Sequence, residues 1–135
     1  MTKVSKEVAQ KDIESWLDFK QVSEKKRESN KDSIESLIEA ISEGILSLSD
    51  DHKIIHKLKS PIENKDGDVT VESLEYIPKL KVKNTISYLQ GVKGTDVDGR
   101  LVAYVCALTS KPSSVIREMD TEDYSVSQSI AIFFL

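Results

Sequence analysis

The chain has few cysteines, glycines, prolines and aromatic residues, which leaves the composition of an ordinary soluble protein. Its 135 residues include one cysteine, five glycines, three prolines and 6% aromatic residues. The single thiol, Cys106, has no second cysteine with which to form an internal disulfide, and it lies in an apolar helical pattern. We therefore expect a buried structural thiol in a reducing, cytoplasmic environment.

Long apolar runs and an excess of basic charge are also absent. No run approaches the roughly 18 to 20 residues that span a bilayer, and Met1 to Lys6 lack the apolar core of a signal peptide. The net charge of -4 gives no global attraction to nucleic acid or anionic lipid, so neither is an expected partner. A chain of this length can bury the core of one domain.

The first fifty residues predict helices. Residues 3–28 carry charges of alternating sign, typical of a solvated helix, and Glu24 to Asn30 form its natural break. Asp32-x-x-Glu35 indicates a capping box that begins the clearest helix. The apolar stripe of that helix consists of Ile34, Leu37, Ile38, Ile41, Ile45 and Leu48. The stripe either packs on its own domain or, with its heptad-like spacing, forms a seam for a partner.

A change of period after His52 predicts a β-hairpin between about His56 and Ile77. Asn64 to Gly67 form a strong turn signal, and the apolar residues after them alternate as in a strand. Because an isolated hairpin is only marginally stable, it must pack against helices.

Four short helices are predicted after Pro78. Asp96 or Thr95 begins the second, and Pro112 lies in the first turn of the third. Asp120, Thr121 or Asp123 caps the last. The buried apolar stripe of the second helix is predicted to include Val97, Leu101, Val105 and Leu108.

These elements predict an α+β fold, with one β-hairpin packed on a small bundle of short helices and an amino-terminal helical arm. Residues 1–50 form the arm, and residues 51–135 form the hairpin and bundle. Residues 31–50 are expected to join the second unit in one compact body.

Candidate metal and catalytic patterns are weak. His52 and His56 have the spacing of two ligands on one helix face, but Pro61 and the strand signals argue against such a helix. Calcium-loop registers placed on Gly67 or Gly99 lack the first and last acidic ligands. With no phosphate-binding glycine loop or nucleophile motif either, we expect no cofactor, no metal and no enzymatic activity. A metalloenzyme that uses the two histidines is a distant alternative.

A second alternative is a small helix-turn-helix regulator that binds nucleic acid. Leu101 to Leu108, a break ending at Pro112, and Ser113 to Met119 have the required spacing. Base reading requires polar and basic groups on the second helix, where Arg117 is the one basic residue. Two packed helices of a bundle are therefore the favoured interpretation.

The region from about Leu58 to Leu135 resembles the tail assembly chaperones of contractile-tailed bacteriophages, the Mu-like and P2-like group. The residues that carry the resemblance are Leu58-Lys59-Ser60-Pro61-Ile62, Val69 to Leu74, Pro78-Lys79, Leu101 to Leu108 with Thr109, Pro112, Ile116, Met119, Asp123 and Phe134-Leu135. Residues 1–50 do not match this pattern.

The resemblance implies a non-catalytic role in the host bacterial cytoplasm. Family members keep the apolar tape measure protein soluble until the tail tube polymerises around it, and they are absent from the mature virion. Such a role implies exposed apolar grooves for client helices. The tape measure protein is the expected partner, with the tail tube protein and a second copy of the chain as further candidates. The expected partner-binding residues are Ile34, Ile38, Ile41, Ile45, Ile130, Phe133 and Phe134. For Phe133, Phe134 and Leu135 the alternative, which is favoured, is a last helical turn that closes the core.

Overall fold

The structure is a computed structural model that describes residues 3–135. In this range it contains seven α-helices and a three-stranded antiparallel sheet, which confirms the predicted α+β fold with a hairpin packed on helices. The helices are α1 (Lys6–Phe19), α2 (Glu24–Ser29), α3 (Lys31–Ser42), α4 (Val82–Leu89), α5 (Val97–Thr109), α6 (Ser113–Ile116) and α7 (Thr121–Ala131), followed by a 3-10 turn (Ile132–Phe134). The strands are β1 (Leu46–Leu48), β2 (Ile54–Glu63) and β3 (Val69–Tyr76).

The predicted hairpin is formed by β2 and β3. At its turn, the Asn64 side-chain oxygen accepts hydrogen bonds from the amides of Asp66 and Asp68, at 2.9 and 3.0 Å. Gly67 has a φ of +82°, a conformation that side chains with a Cβ rarely adopt. The turn residues therefore fold as their sequence predicts.

The amino-terminal helices differ from the prediction at two points. Helix α1 ends at Phe19, so the break comes before Glu24 and not at Glu24 to Asn30. The predicted break is mostly the helix α2, which Ser23 caps by accepting a hydrogen bond from the Lys26 amide at 3.2 Å. The capping box at Asp32 is also wrong. Helix α3 begins at Lys31, and its N-cap residue, Asn30, makes no capping bond through its side chain.

The predicted stripe on α3 is too long. The helix ends at Ser42, and Gly44 follows with a φ of +81°, a typical helix-terminating glycine. Residues Leu46–Leu48 then form β1, which pairs with β2 and was not predicted. Ile45 and Leu48 therefore do not extend the helical stripe, and the heptad-like seam does not exist in the predicted form.

The carboxyl-terminal helices agree closely with the prediction. Asp96 caps α5 by accepting from the Gly99 amide at 2.9 Å, and Asp120 caps α7 by accepting from the Glu122 amide at 3.0 Å. Pro112 lies immediately before α6. Leu101, Val105 and Leu108 are buried, as is Cys106, which confirms this part of the stripe on α5 and the buried thiol. The prediction is wrong for Val97, which lies at the start of α5 and is 61% exposed.

One apolar cluster contains side chains from α1, α3, the sheet, α5 and α7. Trp16 of α1 packs edge-to-face on Phe133, with ring centroids 5.9 Å apart. Residues on both sides of position 50 thus contribute to the same cluster, while the division into an arm and a second unit stays a prediction. Within residues 3–135, every helix is too short or too polar to cross a bilayer.

Candidate functional site

A buried carboxylate joins α7 to the hairpin. Asp123, whose side chain is 1% exposed, accepts hydrogen bonds from the amides of Lys59 and Ser60, both at 3.0 Å. Lys57 of β2 pairs with Ser73 of β3, and the next residue of β2 that pairs is Ile62, with Val71. The amides of Lys59 and Ser60 therefore lie in a bulge of β2. Asp123 therefore satisfies two donors that the strand ladder leaves free, and it holds the bulge against the helix.

Three more buried polar side chains lie beside Asp123. His56 Nδ1 is 3.0 Å from the Tyr76 hydroxyl, which in turn contacts the Ser127 hydroxyl at 2.5 Å. Ser127 lies one helical turn after Asp123, on the same face of α7. His56 and Tyr76 belong to β2 and β3, so this polar group connects both strands of the hairpin to α7.

Burial keeps His56 neutral. It lowers the pKa of the imidazole to about 4, and the nearby charge of Asp123 opposes only part of this effect. His56 Nε2 lies 4.0 Å from Asp123 Oδ1, too far for a hydrogen bond, and it has no other partner among the described residues. Burial also raises the pKa of the Tyr76 phenol well above its usual value.

The same residues do not form an activated nucleophile. A serine nucleophile needs a histidine base within hydrogen-bond reach, yet His56 contacts Tyr76 and the Ser127 hydroxyl contacts Tyr76 as well. Because these side chains and Asp123 are at most 1% exposed, a substrate has no access to them. The hydrogen bonds of this polar group hold the hairpin against α7.

The two histidines lie in different surroundings. His52 stacks on Phe19 of α1, with ring centroids 4.1 Å apart, in a turn where its φ is +63°. His56 is in the core on a strand. The single helix face on which both histidines would bind a metal does not form, and residues 3–135 contain no cluster of three potential ligands.

The predicted partner-binding residues divide by burial. Ile34, Ile38, Ile45 and Phe134 are half-buried, whereas Ile41, Ile130 and Phe133 belong to the core, so the last helical segment closes it. Ile34, Ile38 and Ile41 share α3, and the terminal residues contact Trp16 of α1 through Phe133 and Phe134. Partner binding by these residues stays a prediction.

Helix α4 exposes two large apolar side chains. Val82 is 77% exposed and Ile86 is 55% exposed. Because these residues are four positions apart, they lie on one face of the helix. Thr85 is buried and Tyr88 and Leu89 are half-buried, and Leu89, seven positions after Val82, borders the same face. Helix α4 thus packs on α5 along one side and leaves the apolar side chains of Val82 and Ile86 in solvent.

Sequence reasoning missed both Asp123 as a core residue and the exposed face of α4. The burial of Asp123 could have been predicted. Asp123, Ser127 and Ile130 are spaced as residues of one helix face, and the apolar Ile130 indicates that this face is the buried one. The second carries no such signal. Val82 and Ile86 have the pattern of a buried stripe, and only the packing of α4 on α5 determines which side faces outward.

The helix-turn-helix segment has a short second helix. Helix α6 has four residues and extends about 6 Å at 1.5 Å per residue. The side chain of Arg117, just beyond it, donates to the Ser113 hydroxyl at 2.8 Å. The major groove is about 12 Å wide, so α6 offers a single turn to it.

Comparison of the chain with models of protein families, with curated proteins and with solved structures finds no significant match.

Proposed function

We propose that the chain is a non-catalytic tail assembly chaperone that binds the tape measure protein of a bacteriophage and keeps it soluble during assembly of the tail tube. The observation that carries this proposal is the exposed apolar pair on α4, Val82 and Ile86. A client helix rich in apolar residues needs such a surface, because burying its side chains against the chaperone removes them from water.

The polar contact between α7 and the hairpin supports the proposal from a second direction. The resemblance to tail assembly chaperones rests partly on the segment Leu58 to Ile62 and partly on Asp123. These parts are more than 60 residues apart in the chain, yet Asp123 accepts hydrogen bonds from two amides of that segment, those of Lys59 and Ser60. The separated elements of the resemblance are thus joined in one structural unit.

The proposal places the chain in the host bacterial cytoplasm and excludes it from the mature virion. The tail tube protein is a second candidate partner. The regulator that binds nucleic acid stays the alternative prediction, and no contact of α6 favours it.

Co-expression with the tape measure protein of the same phage tests the function. We expect the tape measure protein to aggregate alone, and to be soluble and co-purify when the chain is present. Equal solubility with and without the chain would overturn the proposal. Detection of the chain in purified virions at a stoichiometric level would contradict the assembly role.

The same assay distinguishes two candidate surfaces for binding the client, one on α3 and one on α4. Ile38→Ser removes a half-buried side chain of the predicted α3 surface, and Ile86→Ser removes an exposed one from α4. The substitution that abolishes co-purification, while circular dichroism shows an unchanged fold, identifies the surface that binds the client.

A further inference from the structure

The exposed face of α4 lies in a long stretch of this acidic chain that carries only positive charge. Between Glu75 and Asp96 the sequence contains four lysines and no acidic residue, although the whole chain has a net charge of -4. The four are Lys79, Lys81, Lys83 and Lys93, and all are exposed. Within residues 3–135 none of them forms an ion pair with a carboxylate.

The lysines are close to the apolar pair in the sequence. Lys81 and Lys83 adjoin Val82, and Lys93 follows the carboxyl end of the helix. Lys79 lies over the ring of Phe19, with its ammonium nitrogen 4.7 Å from the ring centre. This surface therefore combines exposed apolar side chains with neighbouring exposed lysines, a composition that fits an apolar partner with acidic groups beside its apolar side chains.

We propose that this surface binds an amphipathic helix whose apolar stripe is flanked by aspartate and glutamate. The stripe covers Val82 and Ile86, and the acidic flanks lie against Lys81, Lys83 and Lys93. The identity of the partner rests on the proposed function. If the client is the tape measure protein, the chain binds an acidic amphipathic segment of it.

Other occupants fit the surface less well. In a two-fold symmetric contact with a second copy, the same face of each chain would meet the other, so lysines would oppose lysines. A nucleic acid would gain from the lysines, but its phosphates gain nothing from Val82 and Ile86, and the net charge of the chain repels it.

A pair of designed peptides tests the chemistry without knowledge of the client. Both have about 16 residues, enough for a marginal helix, with leucines in a helical stripe. One carries glutamates on the flanks, and the other carries lysines at the same positions. We expect the chain to bind the acidic peptide about tenfold more tightly, from a few surface ion pairs, and the difference to shrink as salt is added. Fluorescence anisotropy measures both affinities.

Paired variants separate the charge from the apolar contact. Lys81→Glu with Lys83→Glu should reverse the preference between the peptides, whereas Lys57→Glu with Lys65→Glu, an equal change of charge on the hairpin, should preserve it. Ile86→Ser should weaken binding of the acidic peptide about tenfold, through lost apolar burial. Val69→Ser removes a side chain that is 49% exposed on β3 and should have little effect.

Several results would overturn the inference. These are equal binding of the two peptides, no binding of either, or an unchanged preference in the variant with Lys81→Glu and Lys83→Glu. Displacement of the acidic peptide by duplex DNA would instead identify a nucleic-acid surface. A dimer in sedimentation velocity that Ile86→Ser dissociates would identify a second copy as the occupant.

The proposed function and this inference can fail separately. If the chain does not solubilise the tape measure protein, the function fails, while peptide binding still decides the chemistry of the surface. If the wild-type chain solubilises the client and the α4 variants do so equally well, the function stands and the α4 site is wrong.

Discussion

Helices α7 and α4 reverse the usual distribution of polar and apolar residues in opposite ways. Helix α7 buries the charged side chain of Asp123 in the core, whereas α4 exposes the apolar side chains of Val82 and Ile86. The buried carboxylate is satisfied by two backbone amides, so its position is explained by the fold itself. The exposed pair has no corresponding explanation within the chain, which is why it suggests a partner.

Helix α5 provides the reference for both, because Leu101, Val105 and Leu108 on this helix are buried in the ordinary way. Val105 is fully buried, so Val105→Asp places an unpaired charge in the core. We expect a loss of at least about 4 kcal/mol in the free energy of unfolding, the largest effect of any substitution considered. Urea denaturation measures it, and Val82→Asp on α4 is the matched control, with an expected change below about 0.5 kcal/mol. Similar losses in both variants would contradict the contrast between the helices.

Removal of the buried carboxylate should have the second largest effect. Asp123→Ala leaves the amides of Lys59 and Ser60, whose bonds to Asp123 are partly buried, without an acceptor. A fully buried unsatisfied donor costs about 1 to 3 kcal/mol, so each of these should cost an amount toward the lower end of that range. We expect the free energy of unfolding to fall by about 3 kcal/mol in urea denaturation. Asp120→Ala, which removes the exposed cap of the same helix, should cost about 1 kcal/mol. If the two losses are equal, Asp123 does not hold the bulge.

The buried imidazole predicts a loss of stability in mild acid. His56 has a pKa of about 4 in the folded chain, below the ordinary value of 6.5. As the pH falls below about 6.5, the unfolded chain binds a proton that the folded chain does not bind until about pH 4, so stability falls across this window. Between pH 6.5 and 5 the loss from His56 is about 2 kcal/mol.

The measurement compares the pH dependence of unfolding in the wild type and in His56→Gln. The wild type should have a steeper decline between pH 6.5 and 5, even if the variant is less stable at pH 7 through loss of the Tyr76 contact. His52→Gln controls for removal of a histidine outside the core. Parallel curves for the wild type and His56→Gln would show that the imidazole is not kept neutral by burial.

Local signals in the sequence determined much of the fold. The turn at Asn64 to Gly67, the cap at Asp96 and the burial of Leu101, Val105 and Leu108 depend on neighbouring residues, and all three are confirmed. The end of α3 was wrong because Ile45 and Leu48 continue its spacing, while the glycine at position 44 and the pairing of β1 with β2 override it. Strand formation depends on the packing of the strand in the fold, so the short strand β1 leaves little trace in the local pattern.

The candidate sites were harder to predict because both depend on tertiary contacts. Asp123 meets Lys59 and Ser60 across more than 60 residues, and spacing within α7 shows only that it is buried, not what it binds. The outward face of α4 depends on how this helix packs against α5. For the same reason the predicted surface included Ile130 and Phe133, which the fold places in the core.

The smallest expected change in stability gives the most direct test of the difference between α7 and α4. Val82→Ser with Ile86→Ser removes two apolar side chains that are more than half exposed, so little burial is lost on folding. We expect the free energy of unfolding to change by less than about 0.5 kcal/mol, while the co-purification with the client is lost. Val69→Ser should leave both unchanged. A loss of about 2 kcal/mol or more in the double variant would mean that the pair packs within the chain, and the exposed face of α4 would then no longer argue for a partner.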